Sequence, residues 1–98
     1  MDETVDASLF KLGRDAAEMI AGKNAVEQVD VVPGADFDYR PIYHFSFLIN
    51  PDHAEQKLGT IMTRVYQKLR DDLTARGEER YPMIHLLDRV DWNKRVRA

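Results

Sequence analysis

The chain of 98 residues contains no cysteine. This excludes a disulfide scaffold, a thiolate metal site and a cysteine nucleophile, and it favours a reducing compartment, so we expect a cytoplasmic protein. No apolar run approaches the about 18 residues that span a membrane, and no apolar stretch typical of a signal peptide follows the start. Basic residues are not in excess, because Lys+Arg number 14 against 17 Asp+Glu. The net charge of -3 argues against nucleic acid as the main partner.

Motifs with a chemistry of their own are also missing. The chain has neither the H-E-x-x-H spacing of a zinc enzyme nor the glycine-rich loop that binds nucleotide phosphates. The remaining composition, 44% hydrophobic and 32% charged, is that of a globular chain. We therefore expect one domain over residues 1–98 that is not an enzyme and uses no cofactor.

Hydrophobic periodicity indicates five main elements. Apolar residues at spacings of three and four predict helices over residues 2–21 and 51–76, and alternation predicts strands over 26–32, 39–49 and 81–87. Pro33 and Gly34 indicate the start of a turn. Asp88 is a candidate cap for a short final helix that carries Val90, Trp92 and Val96.

The order helix-strand-strand-helix-strand predicts an α+β fold with two helices on one face of a mixed three-stranded sheet. A short turn joins the first two strands, so they pair antiparallel. A right-handed crossover through the second helix then makes the last strand parallel to its neighbour. The strand over 39–49 is apolar on one face and half-apolar on the other, which favours the central position.

Strand alternation assigns side chains to the two faces of this sheet. The helices are expected to cover Val29, Val31, Tyr43, Phe45, Phe47, Ile49, Ile84 and Leu86. The open face then carries Val26, Gln28, Asp30, Val32, Ile42, His44, Ser46, Leu48, Tyr81, Met83, His85 and Leu87.

The predicted open face is more apolar than a solvated surface. Large exposed apolar patches mark interaction sites, so a second subunit, another protein or the C-terminal tail should cover it. Our leading hypothesis is a small non-catalytic protein-binding or regulatory module that acts through this face as a homodimer. The predicted interaction residues are Val26, Val32, Ile42, His44, Leu48, Met83, His85, Leu87 and Trp92.

Two histidines on the open face suggest an alternative chemistry. His44 and His85 are candidates for a metal site or a proton relay, with Asp30 and Ser46 nearby. A Ser-His-Asp reading of Ser46, His44 and Asp30 lacks the sharp turn and the oxyanion hole of a nucleophilic serine. A small enzyme or metal protein is therefore the third hypothesis.

The C-terminal segment suggests an RNA-binding alternative. Lys94, Arg95 and Arg97 accompany Trp92, and a basic segment with an aromatic residue is typical of contacts with phosphates and bases. The order of elements resembles the type II KH arrangement and, more coarsely, ribosome-binding factor A, whose final helix and strand have a rhythm similar to residues 68–88. The resemblance concerns the fold, and the GXXG loop of KH modules is absent. An RNA-binding module of KH-like topology is therefore the second hypothesis.

Overall fold

The computed structural model describes residues 7–50 and 58–97. Its elements are α1 (Ala7–Ala21), β1 (Val26–Ala35), β2 (Pro41–Ile49), α2 (Leu58–Ala75), β3 (Tyr81–Leu87) and α3 (Arg89–Arg97). The predicted order is confirmed. The predicted beginnings of the two long helices, at residues 2–6 and 51–57, lie outside the described residues.

The sheet has the predicted topology, with strand order β1-β2-β3. β1 pairs with β2 antiparallel, and β2 pairs with β3 parallel. β2 takes the centre because both of its faces are buried, with Phe45 and Phe47 on one face and Ser46 and Leu48 on the other. The α+β fold class and the central strand are therefore both confirmed.

The main core lies between the sheet and the helices α1 and α2. Phe45 and Phe47 of β2 are fully buried there, beneath Leu9 of α1 and Leu69 of α2. Gly13 allows α1 to approach closely, because an added Cβ at this position would lie 2.9 Å from Cδ2 of Phe45.

The hairpin between β1 and β2 differs from the prediction. β1 continues through Pro33 and Gly34, which pair with Tyr43 and Ile42. Pro33 fits because β1 is an edge strand, where a residue without an N–H is tolerated on the outer side. The chain reverses instead at residues 36–40, where the Asp36 carboxylate accepts the backbone N–H groups of Asp38 and Arg40.

The final helix packs on the face of the sheet opposite to α1 and α2. α3 contacts β2 and β3. Its first turn is capped by Asp88, whose carboxylate accepts the N–H of Asp91 at 2.8 Å, as predicted from the sequence. An ion pair of 3.0 Å between Arg89 and Glu27 links the start of α3 to β1. Among the described helices, none has the length and hydropathy required to cross a bilayer.

Candidate functional site

α3 covers the predicted open face unevenly. Trp92 is only 6% exposed, and Ile42 and Leu48 are fully buried, so these three predicted interaction residues are not available to a partner. Val32 and Met83, in contrast, remain 47% and 37% exposed. The C-terminal segment therefore covers part of this face. It is one of the three coverings that the sequence suggests, beside a second subunit and another protein.

The predicted position of Val26 is wrong. Val26 is buried in the main core on the helix side, and its partner in β2, Ile49, packs against that core while partly buried. The pairing register shifts between Val26 and Gln28, so Glu27 is an extra residue in the ladder. Such a bulge reverses the alternation of faces at one point, which moves Val26 away from the open face.

The two histidines of the open face are brought together as predicted. His44 Nδ1 lies 3.0 Å from His85 Nε2, a hydrogen bond in which one imidazole donates and the other accepts. Their rings stack, with centroids 5.2 Å apart. On the other side of His44, Gly34 leaves room for the ring, since a Cβ there would lie 2.9 Å from Nε2.

The environment of this pair disfavours the charged imidazole. Burial, followed by the Arg95 guanidinium and then His44, lowers the pKa of His85 to about 4. Burial and Arg95 also lower the pKa of His44. Both rings are therefore neutral at pH 7, so each has one N–H and one acceptor nitrogen, and the N–H of one ring donates to the other.

A cavity of about 210 Å³ lies beside the histidine pair. It is lined by Asp30, Val32, His44, Ser46 and Arg95. Ser46 is only 2% exposed, and its hydroxyl is hydrogen-bonded to none of the described residues. Asp30, His44 and Ser46 are thus placed around one space, and Arg95 of α3 completes it.

The cavity does not have the geometry of the metal or triad hypotheses. Within residues 7–50 and 58–97, no three histidine or carboxylate side chains are grouped as metal ligands. The ring nitrogen Nδ1 of His44 is directed to His85, and no hydrogen bond joins His44 to Ser46 in the described part of the chain. A serine nucleophile needs that contact for its activation.

An apolar groove of about 390 Å³ lies at the outer edge of β3. Its walls come from α2 and β3, and its lining residues are Met62, Thr63, Tyr66, Tyr81, Pro82, Met83 and Ile84. No described strand pairs with this edge of the sheet.

Pro82 protects this edge against strand addition. Two hydrogen bonds mark the ends of the hairpin: Asp36 N–H donates to Arg40 C=O, and Asn50 N–H donates to Ala25 C=O. They show that the even-numbered residues of β2 direct their backbone groups to β1. By that alternation Tyr43 faces β3, and its partner Pro82 directs its backbone away from the sheet. The free edge therefore lacks a donor at Pro82.

The hairpin turn at residues 36–40 carries two aromatic side chains in full contact with solvent. Phe37 and Tyr39 are 103% and 89% exposed. The turn is held near the groove, because Tyr81, which lines the groove, donates a hydrogen bond from its hydroxyl to Asp36. Tyr39 also adopts a left-handed backbone with a φ of 62°, which is unfavourable for a bulky residue.

Sequence reasoning missed both the groove and the exposed turn. The hydrophobic pattern places Phe37 in a turn and Tyr39 at the start of a strand, without a role for either ring. An aromatic residue between two aspartates, as in Asp36-Phe37-Asp38, is the available signal. The pattern likewise places Arg95 in a basic tail, and only the docking of α3 brings it to the cavity.

The comparisons with known proteins found no relative. No family model, no curated protein and no solved structure matches this chain.

Proposed function

We propose that this chain is a non-catalytic protein-binding module that forms a homodimer through the groove between α2 and β3. The occupant of each groove is the hairpin turn at residues 36–40 of the second copy, with Phe37 and Tyr39 as the inserted side chains. The observation that carries the proposal is an apolar groove next to two fully exposed aromatic side chains on the same molecule. On its composition, we place the module in the cytoplasm.

A reciprocal exchange of this kind has the symmetry of the most common assemblies. In a twofold dimer, a residue of one copy contacts a second residue of the other copy, and the reverse contact follows. The turn and the groove of one chain are neighbours through the Asp36 and Tyr81 hydrogen bond. One twofold axis therefore brings both contacts into a single interface.

The area is sufficient for a specific but weak dimer. An aromatic side chain buries roughly 150 Å² or more, so two such side chains per copy and the walls they cover give about 1,200 Å² in total. Specific interfaces begin near this value, so we expect association in the micromolar range.

The backbone of Tyr39 supports an intermolecular role. A left-handed conformation at a non-glycine residue costs on the order of 1 kcal/mol, and the exposed ring gains no packing in the monomer that offsets it. Aromatic residues of this kind dominate the energies of protein interfaces. The dimer would bury the ring and so account for a tyrosine at this position.

The test is the mass in solution as a function of concentration. Light scattering should give the chain mass of 11.4 kDa at low concentration and twice that value at high concentration. Phe37→Ser should weaken the dimer by about 30-fold, the loss typical of an interface hot spot. Met62→Asp should do the same from the groove side, since it places a charge on an apolar wall.

Met19→Ser is the matched control, because Met19 is also exposed, at 69%, but lies on α1 and outside the groove. A monomer at every concentration, or a dimer that Phe37→Ser leaves unchanged, would contradict the proposal. Binding of a monomer to polyuridylate, lost with added salt, would instead support the RNA-binding alternative.

A further inference from the structure

The cavity beneath α3 combines features of a ligand site that the proposed dimer does not use. It is lined by Asp30, Val32, His44, Ser46 and Arg95, none of which lines the groove between α2 and β3. Its volume of about 210 Å³ corresponds to roughly seven water molecules at about 30 Å³ each. It therefore suits a molecule of about six or seven heavy atoms rather than a drug-sized ligand.

The buried hydroxyl of Ser46 is the first sign of a ligand. Ser46 has an exposure of only 2%, and it lines the cavity without a hydrogen bond to any described residue. A buried polar group without a partner is unfavourable, so native proteins satisfy nearly all of them. A ligand in the cavity would satisfy this hydroxyl.

The two charges of the cavity are the second sign. The Asp30 carboxylate and the Arg95 guanidinium line the same space, yet they form no ion pair with each other in the described structure. Arg95 nevertheless acts on the cavity, since it is one cause of the lowered pKa of His44. A cavity with a separated anion and cation presents complementary charges to a molecule that carries both signs.

We propose that this cavity binds a small zwitterion of amino-acid size. Arg95 holds the carboxylate, Ser46 donates its hydroxyl proton to the same carboxylate, and Asp30 accepts from the ammonium group. His44 forms an uncharged wall, because burial and Arg95 lower its pKa, and its Nδ1 is occupied by the hydrogen bond to His85. Among the described lining residues Val32 alone is apolar, so the site has room for a small aliphatic group and no larger side chain.

Two charge-assisted contacts give the site a clear specificity. Each hydrogen bond to a charged group contributes enough free energy to change the dissociation constant by about tenfold or more. A molecule with only one of the two charges should therefore bind at least about tenfold more weakly than the zwitterion. Phosphate, which has no ammonium group, should bind no better than a simple carboxylate.

The experiment is a titration of the full chain followed by the amide resonances of β1 and β2. The probes are glycine and L-alanine, with propionate, propylamine and inorganic phosphate as single-charge comparisons. L-Alanine should shift the amides around Asp30, His44 and Ser46 at concentrations of about 10 mM or less. Absence of these shifts with both amino acids would overturn the proposal, and so would equal binding of propionate or phosphate.

Variants assign the two charges separately. Arg95→Gln should weaken L-alanine and propionate alike, by about tenfold or more. Asp30→Asn should weaken the binding of L-alanine, because it removes the carboxylate that accepts from the ammonium group. The binding of propionate, which has no ammonium group, should be unchanged or tighter. Lys94→Gln is the control, since Lys94 is an exposed cation of the same helix outside the cavity.

A loss of affinity in Lys94→Gln as large as in Arg95→Gln would show a general charge effect and overturn the site. The comparison of probes on the unchanged protein does not depend on the folding of any variant. It is also independent of the dimer, because Phe37→Ser leaves the cavity residues in place.

Discussion

His44 and His85 show how two neighbouring strands convert ordinary residues into a coupled pair. Parallel pairing places Ser46 opposite His85 and His44 opposite Met83, so the two imidazoles are diagonal neighbours on one face. At this distance one ring donates a hydrogen bond to the other, and the positive charge of Arg95 acts on both. Burial and Arg95 both oppose a positive charge on either ring, so the folded protein favours the neutral form of the pair.

This arrangement makes the stability of the fold sensitive to mild acid. Above pH 6.5 the imidazole is neutral in both the folded and the unfolded chain. Between pH 6.5 and about 4 the unfolded chain binds a proton that folded His85 does not, so the free energy of unfolding falls as the pH decreases. With allowance for partial solvent exposure, we expect a loss on the order of 1–2 kcal/mol over this range.

Urea unfolding at pH 7 and pH 4.5 measures this loss. His85→Gln should reduce the difference between the two pH values, because glutamine keeps polar groups near His44 but does not titrate. The carboxylates of the chain contribute equally to both proteins and cancel in the comparison. An identical pH dependence in the two proteins would show that the histidine pair has no such effect.

At the scale of elements, the approach of α1 to the sheet depends on one glycine. Gly13 is buried, and the Cβ of an alanine would lie 2.9 Å from Cδ2 of Phe45 and 3.3 Å from Cγ1 of Val29. Phe45 is fully buried and cannot move aside without displacing its neighbours. The helix must then shift as a unit.

We therefore expect Gly13→Ala to destabilise the fold by about 1–3 kcal/mol, the range for overpacking in a core. Gly59→Ala is the matched control, because Gly59 is also helical but a Cβ there would meet no described atom within 4 Å. Alanine at this position should stabilise α2 by about 0.5 kcal/mol through its helix propensity. Thermal unfolding of the two variants measures both effects. A change in stability of the same sign in both variants would contradict the packing argument.

The elements also show what the sequence could and could not predict. The alternation of Tyr43, Phe45 and Phe47 predicts the central strand and its covered face correctly, because burial imposes that pattern directly. The bulge at Glu27 leaves no such trace, and for this reason alternation places Val26 on the wrong face. Proline is typical of turns, so the sequence predicts a turn at Pro33. It does not show that Pro33 lies on an edge strand, where a residue without an N–H is tolerated on the side that meets solvent.

For the candidate sites, local sequence patterns again predict only some of the residues that lie together. The proximity of His44, His85, Asp30 and Ser46 follows from alternation and strand order. The contribution of Arg95 depends on the docking of α3 over strands that are distant in sequence. The groove requires the relative position of α2 and β3, which no spacing of residues encodes.

At the scale of the whole molecule, α3 makes the fold a sandwich with the sheet in the middle. Both faces of β2 are thereby buried, and Trp92 is the most buried residue of α3 among those whose side chains are described. This covering is intramolecular, so it does not require the dimer.

Trp92 is the only tryptophan of the chain and reports on this docking directly. We expect its fluorescence emission to lie at shorter wavelength than that of free indole and to resist quenching by iodide. The spectrum should be the same below and above the concentration at which the dimer forms. A blue shift that appears only in the dimer would mean that the second copy, rather than α3, buries the indole ring.

The parallel pairing of β2 with β3 has a consequence for the order in which the chain is made. β1 and β2 are complete early in synthesis, but the strand that completes the sheet and the helix that covers its second face are made after them, once α2 has been translated. During that interval α1 is already present on one side of the hairpin, but the edge of β2 that pairs with β3 and the face that α3 covers are exposed. The time needed to translate α2 is therefore also the period in which this protein is most exposed to aggregation and most in need of a chaperone.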